Sequence, residues 1–231
     1  MQKILISLVL LGLSAAAAAG QAGILVYQVW EEGTGPYVSR IMVTEDYVRL
    51  DEGSDTGAYT LFDRQQEIIY NVQTEDRSIL VLSAPEPSSD GADSLILNEE
   101  VKVDEHAPKV AGAQPIEVRL FANGELCSEM VVVEGVMEDT LEGLRDLKLS
   151  LARIQSATLE STPLNMRTPC DLAANLYAAD RPLNFGLPLQ ERSSARSQSL
   201  VDFAPDYQAE DALFQLPADF SRRSMFAPNA I

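Results

Sequence analysis

The sequence has few of the residues on which most catalytic and metal sites depend. Its 231 residues include one histidine, His106, one tryptophan and two cysteines. Three ligands of the Cys/His type are too few for a closed zinc site. The chain also lacks a P-loop, a G-x-S-x-G elbow, an H-E-x-x-H helix and a G-x-G-x-x-G turn. The sequence therefore assigns no catalytic residue, no metal ligand and no cofactor.

Positive charge is also scarce. Seventeen lysines and arginines stand against 35 acidic residues, which gives a net charge of −18 at pH 7. A surface this negative repels phosphate backbones, so nucleic acid is excluded as a partner. The acidity favours a solvated surface over a site for a cationic partner.

One acidic segment faintly resembles a calcium loop, the run Asp51-Glu52-Gly53-Ser54-Asp55. It lacks the later bidentate glutamate in register. A turn that joins two strands explains the same residues, and we adopt that interpretation.

The N-terminus has the pattern of a secretory signal peptide. Lys3 precedes the apolar run Ile4–Leu13, which is too short to span a bilayer, and the small-residue stretch Ser14–Ala19 follows. We predict that residues 1–19 are a signal peptide, with a second cleavage site after Ala22 as the alternative. The mature protein is then expected in the periplasm, and it is not an integral membrane protein.

The first half of the mature chain alternates between apolar and polar residues, as half-buried strands do. In Tyr47–Asp51, for example, Val48 and Leu50 share one face. Only short turns separate these alternating runs, and connections this short join antiparallel neighbours. We predict a meander of six strands, at Ile24–Trp30, Tyr37–Thr44, Tyr47–Asp51, Tyr59–Asp63, Glu67–Val72 and Ser78–Ser83.

The second half mixes strands with loops. Prolines, serines and acidic residues at 84–94 predict a mobile loop. Further strands are expected at 95–104, 116–122, 125–134, 184–192 and 198–204, followed by an apolar cluster at 213–217. Asn123-Gly124 predicts a tight hairpin between the strands on either side of it. We expect one α+β domain over residues 20–223, a frayed segment from Ser221 onwards, and a disordered tail at 224–231.

Two helices are expected between these strands. From Asp139 to Leu159 the apolar period changes to steps of three and four, with acidic residues first and basic residues later. We predict one long amphipathic helix whose Leu141, Leu144, Leu151 and Ile154 pack on the sheet. A short helix is expected at Thr168–Tyr177, because Thr168 can cap it and Pro169 suits its first position.

The two cysteines, Cys127 and Cys170, lie 43 residues apart and outside a C-x-x-C motif. In an exported chain an even number of cysteines favours one structural disulfide over redox chemistry. Two buried free thiols are the alternative.

A family resemblance rests on the rhythm of the first-half strands, in Ile41–Asp51, Leu61–Arg64, Ile68–Val72 and Ser78–Val81. This rhythm resembles periplasmic proteins related to the outer-membrane lipoprotein carriers. The resemblance implies a curved antiparallel half-barrel, closed on its concave side by helices, with an apolar cavity between. The second half, with both cysteines and the run at 183–188, departs from the carriers and looks like uncharacterised Gram-negative proteins.

The sequence thus predicts an α+β fold, a curved, half-barrel-like antiparallel sheet with one long and one short helix packed on it. Our first functional hypothesis is a non-enzymatic binding protein for a hydrophobic small molecule of the acyl type. An envelope adaptor that recognises a protein through its acidic surface and a sheet edge is the second, and a carboxylate-dependent hydrolase is the third. The oligomeric state stays open. The residues expected at the cavity are Val29, Val43, Phe62, Tyr70, Leu144 and Leu151.

Overall fold

One large sheet dominates the fold. A computed structural model describes residues 19–83, 95–159, 163 and 167–225. The predicted signal peptide up to residue 18, the loop at 84–94 and the end of the tail from residue 226 lie outside the described residues. The strands are β1 (Ala19–Glu31), β2 (Tyr37–Val43), β3 (Tyr47–Asp51), β4 (Tyr59–Asp63), β5 (Ile68–Gln73), β6 (Ser78–Ser83), β7 (Leu97–Val103), β8 (Ile116–Ala122), β9 (Glu125–Val133), β10 (Leu187–Ser193), β11 (Arg196–Glu210) and β12 (Ser221–Ser224).

The sheet contains two meanders, β1–β6 and β7–β11, which are joined where β1 pairs with β11. Within the described residues the strand order is β12-β6-β5-β4-β3-β2-β1-β11-β10-β9-β8-β7, so the sheet is open, with β12 and β7 at its ends. All neighbours are antiparallel except β6 and β12, which are parallel. The predicted first-half meander and its antiparallel pairing are confirmed.

The Asn123-Gly124 hairpin forms where the sequence predicts it. Asn123 has φ 51° and Gly124 has φ 82°, as a type I′ turn requires. Ala122 then pairs with Glu125, which sets the register of β8 and β9.

Helix α1 (Glu138–Thr158) packs on one side of this sheet, which we call the helix face. Its Leu141, Leu144, Leu147 and Ile154 are buried in one cluster with residues of β1–β5. Gly143 sits against the sheet, since a Cβ there would lie 2.5 Å from Cγ1 of Val43. Leu151 is 44% exposed, so its expected burial on the sheet is wrong. No helix in the described part of the chain is long and apolar enough to span a membrane.

Helix α2 (Pro169–Leu172) begins with the predicted cap. The Thr168 hydroxyl accepts a hydrogen bond from Asp171 N, and the Asp171 carboxylate accepts one from Thr168 N. A π-helical turn, Ala173–Tyr177, continues from it. Cys127 on β9 and Cys170 on α2 lie at disulfide distance, with Sγ–Sγ 2.07 Å. The expected cysteine pairing is therefore present, and it ties α2 to the hairpin arm.

The strands after α2 differ from the prediction in their bounds. The expected strand at 184–192 begins instead as a 3₁₀-helix, Arg181–Phe185, and β10 starts only at Leu187. The strand expected to end at Ala204 continues to Glu210 as part of β11. Pro205 falls in a register shift of the β1–β11 ladder, where a missing N–H breaks no regular pair.

The C-terminal segment is more ordered than the sequence indicates. The first two residues of the expected apolar cluster, Leu213 and Phe214, lie in a 3₁₀-helix, Asp211–Phe214. For residues 221–225 the predicted fraying is wrong, because β12 pairs with the outer edge of β6. Ser221 N donates to Arg77 O at 3.0 Å and Met225 N to Val81 O at 3.1 Å. The free edge of β6 therefore provides backbone hydrogen-bond partners for β12, which a frayed C-terminal segment would lack.

Both faces of the first meander are covered. On the helix face, β1–β5 share their main core with α1. On the opposite face, Met42 and Leu61 are buried with Phe214 of the C-terminal 3₁₀-helix. A third cluster on β8 and β9, around Val118 and Met130, lies beside Phe185. The chain after β11 thus covers the face opposite α1, which the sequence predicts to be exposed, and forms a second core there.

Candidate functional site

A cleft opens on the helix face between α1, the 3₁₀-helix Arg181–Phe185 and strands β1, β2, β3, β10 and β11. We call it the helix–sheet cleft. Its volume is about 290 Å³, close to the lower end of the usual range for small-molecule pockets, about 300–1,000 Å³. Its apolar lining is formed by Tyr27, Ile41 and Leu50 of the sheet and by Leu144, Leu147 and Leu151 of α1.

Helix α1 supplies one wall of the cleft through consecutive turns. Leu144, Leu147, Lys148 and Leu151 follow at steps of three and four, so they lie on one side of the helix. Leu144 and Leu147 are buried, whereas Leu151 is partly in solvent. The wall therefore runs from a closed inner end to an open mouth at Leu151.

The sheet supplies the floor through side chains that point to the same face. Tyr27 pairs with Ser39, and Ile41 pairs with Leu50, so all four point to the helix face. The Tyr27 hydroxyl donates to Pro188 O at 2.9 Å. Burial, with a smaller contribution from the nearby Glu191 carboxylate, raises the pKa of the Tyr27 phenol well above its usual range. This phenol stays neutral at physiological pH.

The rim of the cleft is polar. Gln198 Nε2 donates to the Glu191 carboxylate at 2.8 Å, and Arg196 donates to Gln198 Oε1 at 3.2 Å. Lys148 is half-buried on the α1 side and, among the described residues, makes no ion pair or hydrogen bond through its amine. An apolar floor beside one unpaired cation suits a molecule with an apolar chain and an anionic end.

The six residues that the sequence assigned to a cavity do not lie together. Val29, Val43, Phe62 and Leu144 are buried in the main core on the helix face. Only Leu144 and Leu151 line the helix–sheet cleft. Tyr70 is on the opposite face, beside the Met42 and Leu61 cluster. Because side chains alternate along β5, Ile69 takes the helix face and Tyr70 cannot.

Sequence reasoning missed most of the cleft lining. The sequence could have identified Tyr27 as a lining residue, because alternation along its strand places it on the same side as Leu25 and Val29. Leu183 could not, because the 3₁₀-helix that carries it reaches the cleft through the tertiary fold. Lys148 stood out only as one of several cations on α1.

A buried ionic network lies on the opposite face of the sheet. Arg49 on β3 donates from Nε to the Asp51 carboxylate at 2.8 Å, and Arg40 donates to the same carboxylate through two nitrogens, each at 2.8 Å. The Arg49 guanidinium also lies 3.8 Å from the ring centroid of Tyr59 and donates to Leu213 O at 2.7 Å. The network therefore ties the C-terminal segment to β3 and β4.

The pKa of Asp51 reflects this network. Burial alone would raise it, but hydrogen bonds from Arg40, Arg49 and Gly53 N hold the pKa of Asp51 below its usual value. Arg40 also donates to Asp55 at 2.7 Å. The two aspartates of the acidic turn are thus engaged by arginine, and the described residues contain no cluster of three or more metal-ligating side chains. His106 is exposed in the loop after β7.

Comparisons with known proteins assign no family to this chain. No family model matches the chain, and no curated protein sequence matches it. An uncharacterised conserved protein from Thermus thermophilus is similar in structure, with a TM-score of 0.44 and 11% identity over 89% of this chain and 91% of that one. A structure of PNGF-II has a TM-score of 0.39 and 11% identity over 89% of this chain. This chain spans 32% of the PNGF-II chain.

Proposed function

We propose that the protein is an exported, non-enzymatic binding protein that holds an acyl-type ligand in the helix–sheet cleft. One observation carries the proposal, namely the apolar cleft of about 290 Å³ between α1 and the sheet. The curved, half-barrel-like shape expected from the carrier resemblance belongs to the same proposal. In this arrangement the acyl chain lies along Leu144, Leu147 and Leu151, and its anionic end meets Lys148.

The energetics favour a chain of medium length. Burying each methylene contributes about 0.8 kcal/mol, so eight methylenes contribute about 6 kcal/mol before the cost of association. The Lys148 ammonium adds a charge-assisted contact at the rim, where solvent screens it only in part. A small cleft with these groups fits one chain better than a two-chain lipid.

The binding experiment compares two leucines of α1 with equal exposure. Leu151 is 44% exposed and lines the cleft, whereas Leu149 is 43% exposed and lies outside it. Leu151→Glu places a carboxylate at the mouth and should weaken binding of a fluorescent medium-chain fatty acid at least tenfold. Leu149→Glu, the matched control, should leave the Kd unchanged. Lys148→Gln should weaken the fatty acid but not the corresponding fatty alcohol.

Two results would overturn this proposal. One is a fatty acid that fails to bind the folded wild-type protein, together with the absence of any co-purifying small molecule in native mass spectrometry. The other is equal binding by the Leu151→Glu and Leu149→Glu variants, since the ligand would then occupy another surface.

Export through a signal peptide is part of the proposal, and strand β1 favours one of the two cleavage sites. Gly20, Gln21 and Ala22 pair with residues of β11, and Ala22 is buried in the second core. Cleavage after Ala22 would remove these pairs, whereas cleavage after Ala19 keeps them. N-terminal sequencing of protein from the periplasm should give Gly20 first, and a start at Gly23 would refute the preference.

The adaptor hypothesis is supported by a different feature, the free edge of the sheet at β7. This strand has one neighbour among the described strands, and its Val101 and Val103 are exposed. A partner strand could pair along this edge. An adaptor of this kind should lose its envelope partner at high salt and in a Val101→Asp variant, while fatty-acid binding stays intact.

A further inference from the structure

A second, larger cleft lies on the face of the sheet opposite α1. It has a volume of about 580 Å³ and extends across strands β8, β9, β10, β11 and β1. We call it the Trp30 cleft, after the one tryptophan of the chain. Its main side chains are Trp30, Arg119, Glu129, Gln190, Arg192 and Ser197.

The register of five strands brings these side chains into one row. Arg119 on β8 pairs with Glu129 on β9, which pairs with Arg192 on β10. Arg192 pairs with Ser197 on β11, and Ser197 pairs with Trp30 on β1. Directly paired residues point to the same side of a sheet. The row is therefore continuous across the cleft, with the indole at one end.

Trp30 is placed as a surface for a ligand and not as part of a core. Its neighbour Val29 is fully buried on the helix face, so Trp30 points to the other side and is 43% exposed. An indole offers a flat apolar face and one N–H donor. Two strand spacings, about 10 Å, separate it from Arg192.

The polar groups of the cleft are balanced in charge and partly free. On this face two arginines, Arg119 and Arg192, stand with two glutamates, Glu117 and Glu129, whereas the third glutamate of the lining, Glu191, alternates with Arg192 along β10 and points to the helix face. Arg119 pairs with Glu129 at 3.0 Å. The guanidinium of Arg192 has no ion pair or hydrogen bond among the described residues. The cleft thus presents donors and acceptors with no excess of charge.

This chemistry selects one ligand class. The polar lining disfavours an acyl chain, which would leave these groups without hydrogen bonds. The acidic protein disfavours nucleic acid. We propose that the Trp30 cleft binds a neutral oligosaccharide. One pyranose ring lies with its C–H face on the indole, and hydroxyls of the next ring bond to Arg192, Glu129 and Gln190. The helix–sheet cleft lies on the other face of the sheet, and the two clefts share only Glu191 and Gln198 among their lining residues.

The lone tryptophan makes the test direct, because all indole fluorescence comes from the site. Cellotriose, maltotriose, mannotriose and N-acetyl-chitotriose are titrated into the full mature protein up to about 10 mM, tenfold above a Kd of about 1 mM. At least one should change the emission saturably. By calorimetry, Trp30→Ala should abolish that binding and Trp30→Tyr should restore most of it. Arg192→Ala should raise the Kd about tenfold.

Arg223→Ala, which removes an exposed arginine on β12 outside the cleft, is the control and should leave the Kd unchanged. Urea midpoints show that each variant is folded. The proposal is overturned if none of the four saccharides changes the emission. It is also overturned if a folded Trp30→Ala variant binds as the wild type does. Neither result bears on fatty-acid binding at the helix–sheet cleft.

Discussion

Replacing Arg49 with methionine should destabilise the protein more than any exposed charge removal. Arg49 is the largest fully buried side chain, at 1% exposure, in the described part of the chain. It joins four partners: the Asp51 carboxylate, the Tyr59 ring, the Leu213 carbonyl and, at 3.5 Å, the Asp55 carbonyl. Methionine keeps much of the aliphatic stem and removes all four interactions.

The expected cost follows from what stays buried. Removing one partner of a buried ion pair costs about 3–5 kcal/mol, because the other charge is left uncompensated. Asp51 still accepts two hydrogen bonds from Arg40 and one from Gly53 N, which favours the low end of that range. The Leu213 carbonyl loses its donor as well, at about 1–3 kcal/mol if it stays dry. We expect a loss of about 4–6 kcal/mol in the free energy of unfolding.

Urea unfolding followed by circular dichroism measures this loss, provided that the m-value is unchanged. The control is Arg77→Met, which removes an exposed ion pair to Asp219 and should cost less than about 1 kcal/mol. Hydrogen exchange should also rise in the Asp211–Phe214 3₁₀-helix of Arg49→Met. If Arg49→Met costs no more than the control, the C-terminal segment does not bury this guanidinium and our description of the second core is wrong.

Three further predictions address the core, pH dependence and the cysteines. Leu144→Ala, at a buried site, should lower the free energy of unfolding by about 2–5 kcal/mol. The control Leu149→Ala on the same helix should lower it by less than about 1 kcal/mol. Equal urea midpoints of the two variants would mean that α1 does not pack as described. Since the folded-state pKa of Asp51 is lowered, its stabilisation is present above about pH 4 and is lost as the pH falls below it. The difference in melting temperature between wild type and Asp51→Asn should therefore shrink below about pH 4, and a constant difference would contradict the assignment. Thiol alkylation of denatured, unreduced protein should label neither Cys127 nor Cys170, and two labels per chain would refute the disulfide.

Much of the local structure could be predicted from the sequence, because it depends on neighbouring residues. The Asn123-Gly124 turn needs positive φ at both positions, which these residues tolerate. The Thr168 cap needs only Asp171 three residues later. The predicted helix at 139–159 and the observed α1, Glu138–Thr158, differ by one residue at each end. In these cases the side chains that determine the structure lie within one or two turns of each other.

The candidate site could be predicted only in part. The period of α1 indicated an apolar wall with Leu144 and Leu151, and both line the helix–sheet cleft. Tyr70 was placed on the wrong face, because an aromatic residue is apolar enough for either side and its direction depends on the strand register. The Trp30 row depends on the pairing of β1 with β11, which are distant in sequence. No local pattern indicates such a pairing.

The sequence by itself determined which segments form strands, turns and helices in most of the chain, and which cysteines can pair. Tertiary structure alone decided which faces are covered. Arg49 and Asp51 have the pattern of a solvent-facing strand side, yet both are buried, because the Asp211–Phe214 segment returns over β3. Likewise, Pro205 predicts the end of a strand, but β11 continues past it through a bulge. The physical reason is the same in both cases: burial and backbone pairing depend on residues far away along the chain, and these can outweigh local preference.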